Sequence, residues 1–146
     1  MSKKVDLNAP GTQSYLTILQ GVISRMATNS ASAKTWCIAL VSAVLVVVAE
    51  TDKPKYAWLA AIPTALFFLL DAYYLGLERR FREQYNTFIT KLHEGEATVD
   101  DLFIVAPPGS FWHGLWVFLK ATVSPSVLPF YLVLLLMVVL AQRLVL

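Results

Sequence analysis

The most informative ionisable residue of this chain is Asp71, which lies in an otherwise almost entirely apolar stretch from Pro63 to Leu77. A charged residue near the centre of a bilayer costs roughly 2.5–3.5 kcal/mol on insertion scales, so such a group normally faces protein or water instead of lipid. Two interpretations follow. Either the carboxylate holds two helices together, or it lines a pore, senses protons or gates a path, and the sequence leaves both open.

The partners of Asp71 are predicted from the pairing of two antiparallel helices. If Glu50 faces Tyr56 across the turn that joins the helices, Asp71 lies at the depth of Thr35 and its neighbour Lys34. An ion pair or a hydrogen-bond cluster at that depth would offset the desolvation of the carboxylate. The predicted polar cluster, with a structural or gating role, consists of Asp71, Lys34, Thr35 and Ser32.

The remaining reactive side chains form no pattern typical of catalysis or metal binding. His93 and His113 are isolated in the sequence, and Cys37 is the only cysteine. No HExxH motif and no glycine-rich phosphate loop is present. The carboxylates Glu94 and Glu96 do not complete a metal site of recognisable spacing with the histidines. We therefore expect no enzyme, no metal and no cofactor.

The composition indicates a membrane protein. Hydrophobic residues make up 57% of the 146 residues and charged residues only 15%, which is too apolar for one small soluble core. Three apolar runs, Trp36 to Ala49, Tyr56 to Leu77 and Val127 to Ala141, approach the length of about 20 residues that a spanning helix needs once their flanks are included. The predicted fold is an all-α integral membrane protein with about three transmembrane helices.

Five parts are expected along the chain. They are a flexible N-terminus (1–12), a two-helix transmembrane hairpin whose helices extend into the cytosol (13–93), an acidic cytosolic linker (94–110), an interfacial amphipathic helix (111–123) and a third transmembrane helix (124–146). The interfacial assignment depends on the aromatic residues and the single lysine after Phe111, which suit a helix lying at the membrane surface. A re-entrant hairpin with the last helix is the alternative.

The positions of Lys and Arg predict the orientation. Basic residues flank the first span on its N-terminal side, and Arg79, Arg80 and Arg82 directly follow the second. The positive-inside rule then places the N-terminus in the cytoplasm. The three arginines are predicted to contact anionic lipids, at about 1 kcal/mol per basic residue. No nucleic-acid partner is expected, because the net charge is only +2.

The cytosolic extensions carry apolar residues three and four positions apart, a pattern typical of amphipathic helices. These stripes either close the hairpin or form an oligomer seam or a docking face. Small residues around Asn29 allow close helix packing, although a local helix break at Asn29 is also possible. A homo-oligomer is expected. The predicted oligomer or partner face comprises Leu19, Ile23, Ala27, Ala31, Phe81 and Phe88.

Three blocks of the sequence resemble a set of small bacterial membrane proteins. They are Ile23-Ser24-Arg25-Met26-Ala27-Thr28-Asn29-Ser30, Lys34-Thr35-Trp36, and Leu70-Asp71-Ala72-Tyr73-Tyr74-Leu75 with the following Glu78-Arg79-Arg80-Phe81-Arg82. In architecture and general motif the chain is similar to the membrane effectors that accompany antiphage defence systems, including the SLATT class. The resemblance implies a protein that assembles in the inner membrane and perturbs it on a signal, and it implies no site residues.

Two functions therefore compete. The first is a self-assembling inner-membrane effector or channel-like protein that responds to a cytosolic signal. The second is a passive membrane anchor or scaffold that tethers a soluble partner through its cytosolic helices. The expected partners are membrane lipids, further copies of the chain and, in the second reading above all, a cytosolic protein.

Overall fold

The computed structural model describes residues 4–51 and 53–144, and within these residues the extended regular elements are helices. The predicted all-α class is confirmed. The predicted limits at residues 1 and 146 lie outside the described residues. The helices are α1 (Pro10–Glu50), α2 (Ala61–His93), α3 (Phe111–Thr122) and α4 (Leu128–Leu144), with 3₁₀ turns at Pro54–Ala60 and Val99–Asp101.

Helices α1 and α2 form a long antiparallel hairpin. Pro10 occupies the first turn of α1, where a missing backbone N–H leaves no hydrogen bond unmade. The helix begins there, inside the segment 1–12 that was expected to be flexible, and it continues without a break through Asn29. The Nε2 atom of Gln20 donates to the Tyr85 hydroxyl at 3.1 Å. The two helices therefore pair close to the register that the turn predicts.

Two stretches are long and apolar enough to cross a membrane, Pro10–Glu50 and Pro54–His93. Only 22% and 28% of the most apolar window of each is buried, whereas the core helix of a soluble protein is mostly buried. Helix α4 has 17 residues, which is about 25 Å at 1.5 Å per residue and less than the hydrocarbon thickness of about 30 Å. The sequence predicts three spans, whereas two stretches of the described residues are long enough. Helix α4 is shorter than expected because a turn from 124 to 127 precedes it.

Helix α3 runs antiparallel along α2. A Cβ atom added to Gly76 of α2 would lie 3.5 Å from the Cα atom of Phe118, and His113 of α3 lies 3.3 Å from Glu83 further along α2. Contacts at both levels mean that α3 is aligned with α2 and does not cross it. The placement of this helix at a membrane surface stays a prediction.

Helix α4 continues in the same direction as α3. The hydroxyl of Tyr131 donates to the backbone carbonyl of Phe67 at 3.0 Å, and α4 then extends towards the 3₁₀ turn that opens α2. Because α3 and α4 follow one another along α2, they do not form the re-entrant hairpin that was the alternative. At the end of the hairpin that carries the turn, α4 packs against both α1 and α2.

The buried side chains form two separate clusters. The span cluster lies between α1, α2 and α4 and consists of Cys37, Val41, Ala60, Ala72, Ala121, Val127, Tyr131, Leu134 and Val138. The tip cluster lies at the other end of the hairpin and consists of Tyr15, Leu19, Phe88 and Ala97. Ala97 belongs to the linker after α2, so this linker covers the end of the hairpin instead of extending freely from it.

Candidate functional site

The carboxylate of Asp71 is fully buried where α1 and α2 pack together. The Nζ atom of Lys34 lies 2.5 Å from Asp71 Oδ2, and the hydroxyl of Ser30 donates to Asp71 Oδ1. Oδ2 has no hydrogen bond among the described residues apart from this ion contact. A buried charge therefore has one cationic and one neutral donor, the arrangement that makes such burial tolerable.

The helix periodicity of α1 explains how this site is built. Ser30 and Lys34 are four residues apart, so both side chains emerge on the same face of the helix and reach one point on α2. The Lys34 side chain is 20% exposed, while that of Asp71 is 0% exposed. The ammonium group also lies 5.9 Å from the centre of the Phe130 ring on α4, at a distance where a cation and an aromatic face attract.

The ion pair between Lys34 and Asp71 is the contact that the sequence predicts, but the other predicted members of the cluster lie elsewhere. Ser32 and Thr35 are exposed. The Thr35 hydroxyl donates to the Ala31 carbonyl of its own helix at 3.3 Å. The depth estimate was close enough to find Lys34. It missed Ser30, which the four-residue spacing back from Lys34 would have identified.

A second omission is the contribution of α4. Tyr131 packs within the span cluster, and its ring lies edge-on to Phe68 with the centroids 5.4 Å apart. Its hydroxyl uses a backbone carbonyl of α2 as acceptor. The signal in the sequence was a tyrosine among aliphatic residues, since a buried phenol needs a hydrogen-bond partner. These polar contacts connect α1, α2 and α4, and the partners belong to the same chain.

The three arginines predicted to contact lipid headgroups have partners within the protein. The Arg80 guanidinium donates from Nε and Nη2 to the Pro108 carbonyl at 3.1 and 2.7 Å, which holds the end of the linker against α2. Arg79 Nη2 donates to Ser124 Oγ at 2.9 Å. Arg82 pairs with Glu78 one turn earlier at 2.8 Å, and its side chain is 63% exposed. Arg79 and Arg82 are nevertheless exposed, so contact of these arginines with anionic lipids stays a prediction.

The residues of the predicted oligomer or partner face differ in how exposed they are. Leu19, Phe81 and Phe88 are buried within one chain, so the apolar stripes close the hairpin and do not form an outer surface. Ile23 and Ala27 are half-buried. Ala31 is exposed, and of this set it is the residue best placed to meet another molecule.

The tip of the hairpin carries a second group of polar contacts. The Tyr15 hydroxyl donates to the Ile104 carbonyl at 2.7 Å. Burial raises the pKa of Tyr15 above its ordinary value, although a hydrogen bond from Gln84 opposes this shift. The ammonium of Lys91, 2.7 Å from Asp101, lowers the pKa of that carboxyl, and the amide of Thr98 adds to the effect. These contacts fix the linker on the hairpin.

The histidines do not assemble a reactive centre. His93 is exposed, and His113 faces the carboxylate of Glu83 at the surface. Among residues 4–51 and 53–144, no three His, Cys, Asp or Glu side chains are grouped closely enough to hold a metal ion. Comparisons of the chain with protein-family models, with curated proteins and with solved structures find no match. The resemblance to antiphage membrane effectors stays a prediction.

Proposed function

We propose that this chain is an integral protein of the bacterial inner membrane that assembles with further copies of itself and acts as an effector or channel-like protein. The support for membrane insertion is the low burial of the apolar stretches in α1 and α2. Apolar side chains that face outward along most of two long helices require an apolar surrounding. The basic flanks support a cytoplasmic location of the N-terminus and of the hairpin tip.

The observation that carries self-assembly is a small-residue face on α1. It consists of Ala31, Thr35, Ala39 and Ser42, which recur at spacings of four, four and three and are all exposed. This face points away from Cys37 and the rest of the span cluster. In lipid, helices associate through close packing of small side chains and through hydroxyl hydrogen bonds between helices. A second copy of the chain supplies a matching face by symmetry.

A path across the membrane, in this proposal, forms between copies and not through one chain. Among the residues that the structure describes, the one fully buried charge is that of Asp71, and Lys34 neutralises it inside the bundle. The apolar span cluster fills the space between the helices. Assembly is therefore the step at which the membrane is perturbed. The ion pair keeps α1 and α2 in register so that the small-residue face is presented correctly.

The proposal is tested by expressing the chain in bacteria and measuring membrane potential with a voltage-sensitive dye. The wild type should depolarise cells, and Ala39→Trp, which obstructs the small-residue face, should abolish the effect. Leu69→Trp is the matched control, because Leu69 is exposed on α2 away from this face. Equal depolarisation by all three proteins, or by none, would contradict the proposal. Phage challenge of the same strains tests the role in defence.

The anchor or scaffold is the second candidate, and one observation favours it. Phe103, Ile104 and Val105 are exposed at the cytosolic tip, and Phe103 has a φ angle of 63°, which is costly for a residue with a side chain. The contacts at the Ile104 carbonyl hold these side chains outward. Cells that stay polarised, together with a soluble protein that copurifies with the wild type and is lost in Phe103→Asp, would establish this function instead.

A further inference from the structure

An open apolar groove lies at the end of the bundle opposite the hairpin tip. It is formed by the last turns of α1 and by the 3₁₀ turn before α2, and it encloses about 600 Å³. Leu40, Ala43 and Val47 line its length, Leu59 closes one side, and Thr51 and Lys53 lie at its mouth. The polar cluster around Asp71 does not line the groove, whereas the small-residue face adjoins it, since Ala43 directly follows Ser42 in α1.

The length of the groove matches one leaflet of a bilayer. From Leu40 to Thr51 the α1 backbone rises about 17 Å at 1.5 Å per residue. Half of a hydrocarbon layer about 30 Å thick is about 15 Å. A groove that starts near the middle of the membrane and ends at the turn therefore spans the depth that one acyl chain occupies.

The groove is open along one side, so its lining is a surface along which a single hydrocarbon chain can lie. Leu40, Ala43 and Val47 are exposed there. A hydrocarbon chain along these residues covers apolar surface that is otherwise uncovered.

The charge at the open end of the groove indicates which polar group a ligand with a hydrocarbon chain would carry. Lys53 is exposed and is the charged residue among the described lining residues. It stands at the headgroup level of the adjacent leaflet, where a phosphate is the complementary group. A second apolar groove of about 300 Å³ between α2 and α4, lined in part by Thr64 and Leu132, has no charged residue among its described lining. A third apolar groove, of about 270 Å³ between α2 and α3, includes Arg80, but that guanidinium already donates to the Pro108 carbonyl.

We infer that this groove binds one phospholipid, with an acyl chain along Leu40, Ala43 and Val47 and the phosphate on the Lys53 ammonium. The inference rests on the proposed membrane insertion and not on the proposed effector activity. It makes the bound lipid part of the fold at the turn, since the lipid fills the space between α1 and the 3₁₀ turn. A phosphate is common to anionic and zwitterionic phospholipids, so both classes satisfy the geometry.

Native mass spectrometry of the full chain, released from nanodiscs of phosphatidylglycerol and phosphatidylethanolamine, tests the inference. The wild type should retain one phospholipid per chain. Lys53→Ala should lower retention about fivefold, the factor that one basic residue near a headgroup provides. Lys55→Ala is the matched control, because Lys55 belongs to the same turn but is not a lining residue of the groove. Retention of either headgroup class supports the phosphate contact.

A second pair of variants tests the acyl channel. Ala43→Phe should fill the groove and displace the lipid, whereas Ala49→Phe, on the same helix but not in the lining, should not. Equal lipid loss in Lys53→Ala and Lys55→Ala, or no retained lipid in the wild type, would overturn the inference. So would a smaller oligomer in Ala43→Phe with unchanged lipid, which would assign the groove to a second copy. A chain absent from the membrane fraction would instead contradict membrane insertion itself.

Discussion

The two ends of the α1–α2 hairpin bury different kinds of side chain. At the tip, apolar residues of the two helices such as Leu19 and Phe88 are buried, and most polar residues of the two helices are exposed. In the span, the charges of Lys34 and Asp71 meet inside, while large apolar side chains such as Leu66 and Val46 are exposed. The same two helices therefore have a water-type pattern at one end and a lipid-type pattern at the other.

This difference between the two ends shows how the periodic apolar patterns of the two helices should be interpreted. A helical apolar stripe marks the buried side only where the solvent is water. Where the solvent is lipid, helix packing depends on small residues and polar contacts. The ion pair lies at the change between the two patterns. Variants at each end of the hairpin test this difference separately, from the largest expected effect to the smallest.

The largest effect is expected from Lys34→Met, because it leaves the fully buried Asp71 carboxylate without its counter-charge. Loss of one partner of a buried pair costs about 3–5 kcal/mol. Asp71→Leu should cost less, since the Lys34 side chain is 20% exposed and can extend to the surface. Thermal unfolding in detergent, followed by circular dichroism, measures both losses.

The double variant Lys34→Met/Asp71→Leu is the control for this pair. Replacing both charges by apolar residues should restore most of the stability, because a buried pair and an apolar pair of similar volume differ little. If the double variant is as unstable as Lys34→Met, the cost does not come from an unpaired charge and the account of the span is wrong.

At the tip, Phe88→Ala should cost about 3 kcal/mol because it empties part of the tip cluster. The Phe88 ring lies edge-on to Tyr15, with the ring centres 4.8 Å apart. Phe103→Ala is the matched control, since Phe103 is 56% exposed and its truncation should change stability by less than about 0.5 kcal/mol. Chemical denaturation measures the difference, and equal losses in the two variants would mean that the tip is not held by apolar burial.

Arg80→Lys tests the contact that holds the end of the linker against α2, between the two ends of the hairpin. A lysine keeps the charge but loses the planar guanidinium that donates to Pro108 from two nitrogens, so the segment 107–118 should exchange amide hydrogens faster. Stability should fall by about 1 kcal/mol. Arg82→Lys, which alters an exposed pair within α2, should leave this exchange unchanged. Similar exchange in the two variants would show that Arg80 does not hold α3.

The smallest effect is a pH dependence of the linker. The folded pKa of Asp101 is below its unfolded value of about 3.9, so its contribution is present above that pH and is lost as the pH falls through the folded pKa. Because the pair with Lys91 is partly exposed, it is worth less than about 1 kcal/mol. The protection of the 97–102 amides against hydrogen exchange, relative to their intrinsic rates, should fall below about pH 4, and Asp101→Asn should remove this dependence. A loss of protection that keeps its pH dependence in Asp101→Asn would assign it to another group.

The sequence predicts the hairpin and its ion pair well, because both depend on rules that act locally. A short turn sets which residues lie at equal depth, and a charge as deep as Asp71 must find a partner. The choice of Ser30 over Ser32 depends on the rotation of α1 about its axis. Depth alone does not determine that rotation, so the prediction found the level of the cluster but not all of its members.

The parts that sequence reasoning missed depend on tertiary contacts without a periodic signal. Arg80 binds backbone carbonyls, which every residue possesses, so no pattern identifies its partner. The same holds for Tyr15 and the Ile104 carbonyl. These bonds fold the linker onto the tip and align α3 with α2. The length of α4 was overestimated because flanking residues after Ser124 were counted as helix, whereas they form a turn.

The most direct test of the account is disulfide crosslinking between copies in native membranes, since assembly through the small-residue face is its central claim. In a Cys37→Ser background, Thr35→Cys and Ser42→Cys should each give a covalent dimer on oxidation. Leu69→Cys, exposed on α2, should remain monomeric. A monomer in all three variants, or equal crosslinking at Leu69, would contradict assembly through this face of α1.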